Sequence, residues 1–386
     1  MKIAVIGRGT AGCMSALMLK HMADAEIAWY FDPSIKPQAV GEGSTLKLPG
    51  ILNETLNFSV KDFHKVDATI KTGIYKEDWG SKRKPFLHDF PAPQTAMHFN
   101  ANKLQDYVHS RLKDHINVIP KNVRSDNVDA DFVLDCSGRP DSYEAFDKSD
   151  YIPVNSVYVT QCYWEYPRFN YTLAIARPYG WVFGIPLQNR CSVGYLYNKD
   201  INTLEEVKED VLYIFDKFNL TPSEDTNAFS FNNYKRKENF NGNIAYNGNA
   251  SFFLEPLEAT TFGCVANINQ DVIGYWLGGA SKELSEQRYQ AHIKACESII
   301  MLHYYSGSSF NTPFWEYAQE KGKLYMEDAD ESLLYMMQNS KTPDNLGSYR
   351  DIFRLPTGLS LNLAALYSAW WEGSFAQNLE GLGIKV

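Results

Sequence analysis

The apolar positions of this chain follow two rhythms. At the amino end, KIAVI (2–6) is a continuous apolar run, the pattern of a strand buried on both faces. It passes through Gly7, Gly9, Thr10, Ala11 and Gly12 of GRGTAG into CMSALMLKHMA (13–23), whose composition is helical. A second run, EIAWYF (26–31), ends at Asp32, and a third, ADFVLDCSG (130–138), ends at Asp135 and a small-residue turn closed by Gly138. Strand, glycine turn, helix and strand in this order predict a parallel sheet that binds its ligand at the carboxyl ends of its strands. Between 68 and 80 the rhythm becomes alternating: read as one strand, ATIKTGIYKEDWG places Ile70, Thr72 and Ile74 on one face and Lys71, Gly73 and Tyr75 on the other. A lysine on such a face needs a chemical reason.

The glycine turn has the chemistry of a dinucleotide site. Gly7 permits the tight turn, Gly9 lets backbone N–H groups approach a pyrophosphate, and Gly12 lets the helix pack on the strand. Asp32 lies 20 residues past Gly12, the distance of the carboxylate that takes a ribose hydroxyl; its other reading is the Asp that opens the turn DPS. FAD and NAD are not distinguished by these residues.

Length and composition restrict the remaining classes. A chain of 386 residues suits one large or two interleaved domains, and 44% hydrophobic with 22% charged residues is globular. The 14% aromatic share suits an aromatic-lined pocket. A net charge of −9, with SKRK (81–84) and YKRK (234–237) as the densest basic stretches and no basic stripe, disfavours a nucleic-acid partner, and none is expected. No apolar run reaches the ~20 residues of a membrane span. MKIAVIG enters a glycine turn directly and does not read as a signal peptide, so a cytoplasmic protein is expected. The six cysteines, at 13, 136, 162, 191, 264 and 296, have no paired spacing, which predicts reduced thiols and no metal site.

Seven segments resemble, in order and rough spacing, the flavin-dependent halogenases of the tryptophan-halogenase family: GRGTAG, VGEGST (40–45), ATIKTGIYKEDWG, DCSG, GWVFGIPLQNR (180–190), FFLEPLEATTF (252–262) and LHYYSGSSFNTPFW (302–315). The resemblance implies an α/β, flavin-monooxygenase-type fold. Its FAD-binding module would occupy about 1–150 plus 240–280, an inserted substrate-side β-sheet about 151–240, and C-terminal helices about 281–386. It implies FAD used as FADH2, O2 and a halide ion, with a separate NADH-dependent flavin reductase as partner and a small aromatic molecule as substrate; a homo-oligomer is left open. Glu42, Gly43 and Phe262 join the glycine residues as cofactor contacts. Lys71 stands at the lysine that receives hypohalous acid, either as hydrogen-bond donor or as haloamine; without the resemblance it would read as a surface lysine paired with Glu77 or Asp78. Glu258 matches the family's second catalytic residue, with Glu255 the one it would exchange with if the register moved.

The departures are informative. Where the family shows Ser-Thr-Gly after the glutamate, this chain has Ala259, Thr260 and Thr261, so Thr260 and Thr261 inherit halide binding while a β-branched residue replaces a glycine. Bromide and iodide therefore stand beside chloride as candidates. The family's WxWxIP reads Trp181-Val182-Phe183-Gly184-Ile185-Pro186, which keeps Trp181 and Phe183 as aromatic wall with less volume. His88 and Phe90 of FLHDF resemble the pair that sandwiches the substrate. The end of the chain, with Trp370 and Trp371, shows no counterpart of the full lid of tryptophan-specific members, which favours varied electron-rich aromatics over free tryptophan. The rival functions are a flavin-dependent aromatic monooxygenase and a non-catalytic flavin-binding protein; a NAD-dependent dehydrogenase explains only the first 32 residues.

Overall fold

The computed structural model describes residues 1–35, 42–82, 84–91, 93–340, 360–370 and 372–385. Val40, Gly41 and Trp371 lie outside the described residues. The chain divides into two compact units, one of Met1–Ala68, Phe99–Ser149 and Tyr234–Ile293, the other of Thr69–His98, Asp150–Asn233 and Lys294–Val386.

The first unit holds a six-stranded sheet in the order Phe240–Asn241, Ile244–Tyr246, Phe132–Asp135, Lys2–Ile6, Glu26–Tyr30, Asn117–Ile119. All neighbours pair in parallel except the first two strands, which are antiparallel. Lys2–Ile6 lies at the centre, and Ile3 to Ile6 are buried, so the continuous apolar run meets a place with no solvent face. The helix Thr10–Met22 covers this sheet and is tied to the helix Thr260–Trp276 by the Ser15 hydroxyl, which donates to Asn269 Oδ1 at 2.8 Å. A small sheet of Phe252–Phe253, Tyr234–Arg236 and Phe146–Lys148 completes the unit.

The second unit is built on a seven-stranded sheet in the order Thr221–Ser230, Ser156–Tyr163, Arg190–Tyr197, Gly180–Pro186, Thr172–Arg177, Gly73–Glu77, Phe86–Asp89. Thr172–Arg177 with Gly73–Glu77 is its parallel pair. The helix Leu204–Lys217 lays Val207, Val211, Ile214 and Phe215 on Leu173, Ile175, Val182 and Tyr195 to form the core. The Arg177 guanidinium fastens that helix from inside, donating to both Asp210 oxygens at 2.6 and 2.9 Å.

The alternating segment is not one strand. Thr69–Lys71 pairs antiparallel with Ala96–His98 in a separate ribbon, and Gly73–Glu77 joins the large sheet, with Thr72 between them. Lys71 is buried on the ribbon side of the break, Gly73, Ile74 and Lys76 are buried on the sheet side, and Ile70 is exposed. Two lysines are thereby drawn inside within six residues.

Lys76 is fully buried at 0% exposure. His303 Nδ1 lies 2.7 Å from the Ile299 carbonyl, which only accepts, so Nδ1 carries the proton and Nε2 accepts from Lys76 Nζ at 2.7 Å. Asn378 Oδ1 is a second acceptor, and the ring centroids of Trp370 and Phe86 lie 5.2 and 5.7 Å from the Nζ. Among the described residues, no helix is long and apolar enough to cross a membrane, and no group of three or more His, Cys, Asp or Glu is arranged to hold a metal ion. All six thiols are free and buried.

Lys76→Met retains the volume and removes the donor shared by His303 and Asn378. We expect a loss of about 3 kcal/mol in urea unfolding of the purified chain. A loss under about 1 kcal/mol would show that the cage contributes little.

Candidate functional site

In the first unit the glycine turn separates packing from binding. A Cβ at Gly7, whose φ is +107°, would overlap the Cys136 carbonyl, and one at Gly12 would overlap the Gly7 carbonyl. These two glycines bring helix and strand together. Around an added Cβ at Gly9 or Gly138, by contrast, nothing lies within 4 Å. No side chain caps the helix Thr10–Met22, whose Thr10 hydroxyl accepts from Gln105 Nε2 at 3.1 Å. An uncapped helix start with an open glycine floor fits a pyrophosphate, and the residues present therefore fit a dinucleotide cofactor.

Two of the expected cofactor contacts have protein partners. The carboxylate of Asp32 accepts from Ser34 N at 2.8 Å, Ser34 Oγ at 2.6 Å and Asn122 Nδ2 at 2.9 Å, so it opens a turn, and the Ser34 bonds hold it below the usual carboxylate range. Glu42 is buried, and its Oε1 accepts from Ala101 N at 3.3 Å, the first N–H of the helix Ala101–Leu112. Gly43 follows it, and Phe262 meets Phe99 edge to face at 5.3 Å.

Glu258 and Ala259 both have left-handed backbones, with φ 71° and 55°. Thr260 has φ −64° and ψ −24°, and Thr261 lies inside the helix, so the β-branched replacement does not fall on a left-handed position. The strain sits two and three residues before Thr261, on Ala259 and the buried Glu258. The first N–H groups of this helix, those of Thr260 and Thr261, have no acceptor inside the helix and present a positive end.

Farther along the same helix, Asp271 forms a buried pair of inverted acidity with His292 of the helix Lys282–Ser306. His292 Nε2 is 3.7 Å from Asp271 Oδ2, and Arg288 is 3.8 Å from Oδ1. Burial lifts Asp271 to about 7 against the weaker pull of Arg288 and Lys47. Burial first, then Lys47 and Arg288, lowers His292 to about 4.

In the second unit Lys71 is 1% exposed, and the surface alternative does not hold. Glu77 is bound by Lys217 and by the Tyr75 hydroxyl at 3.0 Å, and Asp78 accepts from Ser309 Oγ at 3.0 Å. Lys71 Nζ lies 5.5 Å from the centroid of Phe90, whose N–H donates to the Thr72 carbonyl at 2.9 Å. Phe90 meets His88 edge to face at 5.7 Å, and His88 in turn bonds Ser374 Oγ through Nε2 at 2.8 Å and faces Trp370 at 5.6 Å. Trp181 is buried between Trp79, at 6.4 Å, and Phe183, at 6.3 Å; the Phe183 ring rests on Gly194 of the neighbouring strand. Lys71, His88 and Phe90 thus come together, and Trp181 with Phe183 forms a second aromatic group.

Sequence reasoning missed His98, Lys76 and His303. His98 meets Thr69 and Thr172 from 29 and 74 residues away, and Lys76 meets His303 from 227, so no local pattern marks them.

A family model described as tryptophan halogenase matches residues 2–116 and 95–354. Tryptophan 7-halogenase of Lentzea aerocolonigenes is 26% identical over 207 residues, 50% of this chain and 38% of that protein. Tryptophan 6-halogenase of Streptomyces albogriseolus is 23% identical over 344 residues, 79% of this chain and 62% of that protein. The chain thus spans less than two thirds of the length of these relatives. The solved tryptophan 6-halogenase of Streptomyces toxytricini superposes with a TM-score of 0.75 at 17% identity, covering 95% of this chain and 90% of that one. A flavin-dependent halogenase from Brevundimonas sp. gives 0.72 at 18% identity, covering 95% and 89%. The fold expected from the sequence is therefore the fold observed.

Two experiments test this geometry. Gly9→Ala should fold normally and weaken flavin binding, read by equilibrium dialysis, about tenfold or more, whereas Gly12→Ala should fail to fold. For the acid pair, the raised Asp271 contributes stability that is complete below pH 3.8 and lost as pH rises to about 7; the lowered His292 contributes stability gained between pH 4 and 6.5. The opposite slopes cancel across that window. Asp271→Asn should leave the His292 slope alone, rising from pH 4 to 6.5, and raise stability at pH 8 by roughly 3 kcal/mol in denaturant titrations.

Proposed function

The chain belongs to the tryptophan halogenase family, and from that premise we propose that it is a flavin-dependent halogenase of electron-rich aromatic small molecules, not restricted to free tryptophan. The observation that carries the proposal is the burial of Lys71 against Phe90, next to His88. An ammonium is brought into an aromatic interior only at high cost, and here it lies where an electrophile and an arene would meet.

Reduced flavin, O2, halide and a proton together supply hypohalous acid, water and oxidised flavin. The reduced cofactor would come from a separate NADH-dependent reductase. Gly9, Thr10, Ala11 and Gly138 would hold it on the turn that Gly7 and Gly12 shape, with Asp32, Glu42, Gly43 and Phe262 as further contacts. The backbone N–H groups of Thr260 and Thr261 would hold chloride, bromide or iodide at the positive start of their helix.

Lys71 would donate a hydrogen bond to the hypohalous acid, or carry the halogen as a haloamine, and so turn a diffusible oxidant into a directed one. The ring carbon takes the halogen, and Glu258 takes the proton that leaves it, with water as the second product. His88 and Phe90 would grip the arene, with Trp181 and Phe183 as aromatic wall.

The test is one mass-spectrometric assay with FAD, a generic flavin reductase, NADH and a panel of phenols and indoles, run separately in each halide with catalase. Halogenated product in the wild type, reduced at least about a hundredfold in Lys71→Ala, is the expected result. Hydroxylated product in its place would make the protein a monooxygenase. Halogenation that persists in the Lys71 variant would remove that lysine from the mechanism.

A further inference from the structure

The Lys71 strand is pinned by a hydrogen-bond chain whose centre is a histidine. His98 is fully buried on the strand that pairs with Thr69–Lys71, directly opposite Thr69. Lys71 is two residues from Thr69, so all three side chains lie on one face of the ribbon, with His98 diagonal to Lys71.

Proton counting fixes the state of the ring. The Thr69 hydroxyl donates its one hydrogen to the Pro186 carbonyl at 2.6 Å, because that carbonyl can only accept. Its contact with His98 Nδ1 at 3.1 Å must then have the ring N–H as donor. Burial, and secondly Lys71, push His98 well below the usual imidazole range, so the ring is neutral and Nε2 is bare. Nε2 accepts from the Thr172 hydroxyl at 2.8 Å. The chain of donors runs one way: Thr172 to His98 to Thr69 to the Pro186 carbonyl.

This chain fastens the short ribbon to two strands of the large sheet. Thr172 opens Thr172–Arg177, and Pro186 ends Gly180–Pro186, the strand that carries Trp181 and Phe183. On the other flank of Lys71, Thr72 N donates to the Asn170 carbonyl at 2.8 Å and the Thr72 carbonyl accepts from Phe90. Lys71 is held from both sides, and only the His98 side depends on a titratable ring.

We propose that His98, with Thr69 and Thr172, is the positioning unit of Lys71: a neutral Nδ1-protonated histidine that fixes the amine relative to the aromatic wall without adding a second positive charge. The inference rests on the reading of Lys71 given above. His98 touches no reacting atom; it acts through the lysine. Its loss would leave hypohalous acid formation intact and misdirect the halogen.

Thr69→Val keeps the shape and removes the hydroxyl at the middle of the chain. In an assay with a soluble 1,3-diketone as hypohalite trap, total halogen captured should match wild type while the arene's share falls about tenfold or more to the trap's gain. Thr69→Ser should restore both the share and the melting temperature, which Thr69→Val lowers because the buried His98 Nδ1–H loses its acceptor. An unchanged share in Thr69→Val overturns the proposal. Should that variant not fold, Thr172→Val, with Thr172→Ser as its rescue, breaks the same chain from the other end.

Two spectroscopic readings need no turnover. In 15N-histidine protein, the His98 signal, assigned by its loss in His98→Gln, should be that of a neutral ring protonated at Nδ1; a cation or the other tautomer overturns the proposal. In 13C-lysine protein, the Lys71 side-chain signal, assigned with Lys71→Arg, should move in Thr69→Val, and a signal that stays in place overturns it. A wild type that yields neither product nor trapped halogen would refute the halogenase reading, and these spectra would then decide the positioning of Lys71 independently.

Discussion

The second unit depends on keeping positive charge inside protein. An isolated ammonium moved from water into a medium of low dielectric loses tens of kcal/mol by the idealised reckoning, so it stays only where other groups replace its hydration. Lys71 and Lys76 are both brought in, five residues apart, and they are held differently. Lys76 has two protein acceptors and two aromatic faces, the treatment of a structural cation. Lys71 has an aromatic face at Phe90 and a neutral histidine on its own side of the ribbon. The break at Thr72 gives them separate settings: Lys71 lies in the ribbon with Ala96–His98, and Lys76 lies in the large sheet, on a strand buried on both faces.

The first unit obeys a constraint of closeness. Gly7 and Gly12 leave no space for a methyl group, while Gly9 and Gly138 leave space that the protein itself does not fill. The helix Thr260–Trp276 is preceded by two consecutive left-handed residues that are not glycine, at a cost of about 1–2 kcal/mol each. Such strain is tolerated where the surroundings over-determine the backbone, and here it falls on Glu258, whose side chain the fold directs inward. Farther along, Asp271 and His292 are both disfavoured in their charged forms by the same burial, so their effects on stability oppose and largely cancel through the mildly acidic range.

Much of this was legible in the sequence where the physics is local. A continuous apolar run entering a spaced glycine turn needs no distant partner to be read, and Lys2–Ile6, the turn and Thr10–Met22 lie where the pattern puts them. The alternation around Lys71 gave the strand character but not the break, because the ribbon partner Ala96–His98 arrives from about 27 residues away and takes only three residues. Asp32 and Glu42 were read as cofactor groups from spacing and resemblance; the bonds they make, to Asn122 and to the start of the helix at Ala101, come from 90 and 59 residues along the chain. The cage of Lys76 is less legible still, since His303 and Asn378 are 227 and 302 residues away.

The departures from local rules share one character. A lysine without water and a histidine confined to one tautomer contradict what their own segments would choose, and each is enforced by partners remote in sequence; the left-handed backbone of Glu258 is a third such departure. A fold gains little stability from such arrangements, since apolar groups replacing the polar group and its partners together would fill the same space at lower cost, whereas removing one partner alone leaves the others unsatisfied. What they supply is fixed position for groups that could otherwise move, and fixed position is what a diffusible oxidant must meet if it is to reach one atom of a substrate. The tie from Thr172 through His98 to Pro186 has that form: it spends hydrogen bonds on a three-residue ribbon which the backbone pairing alone would leave free to shift.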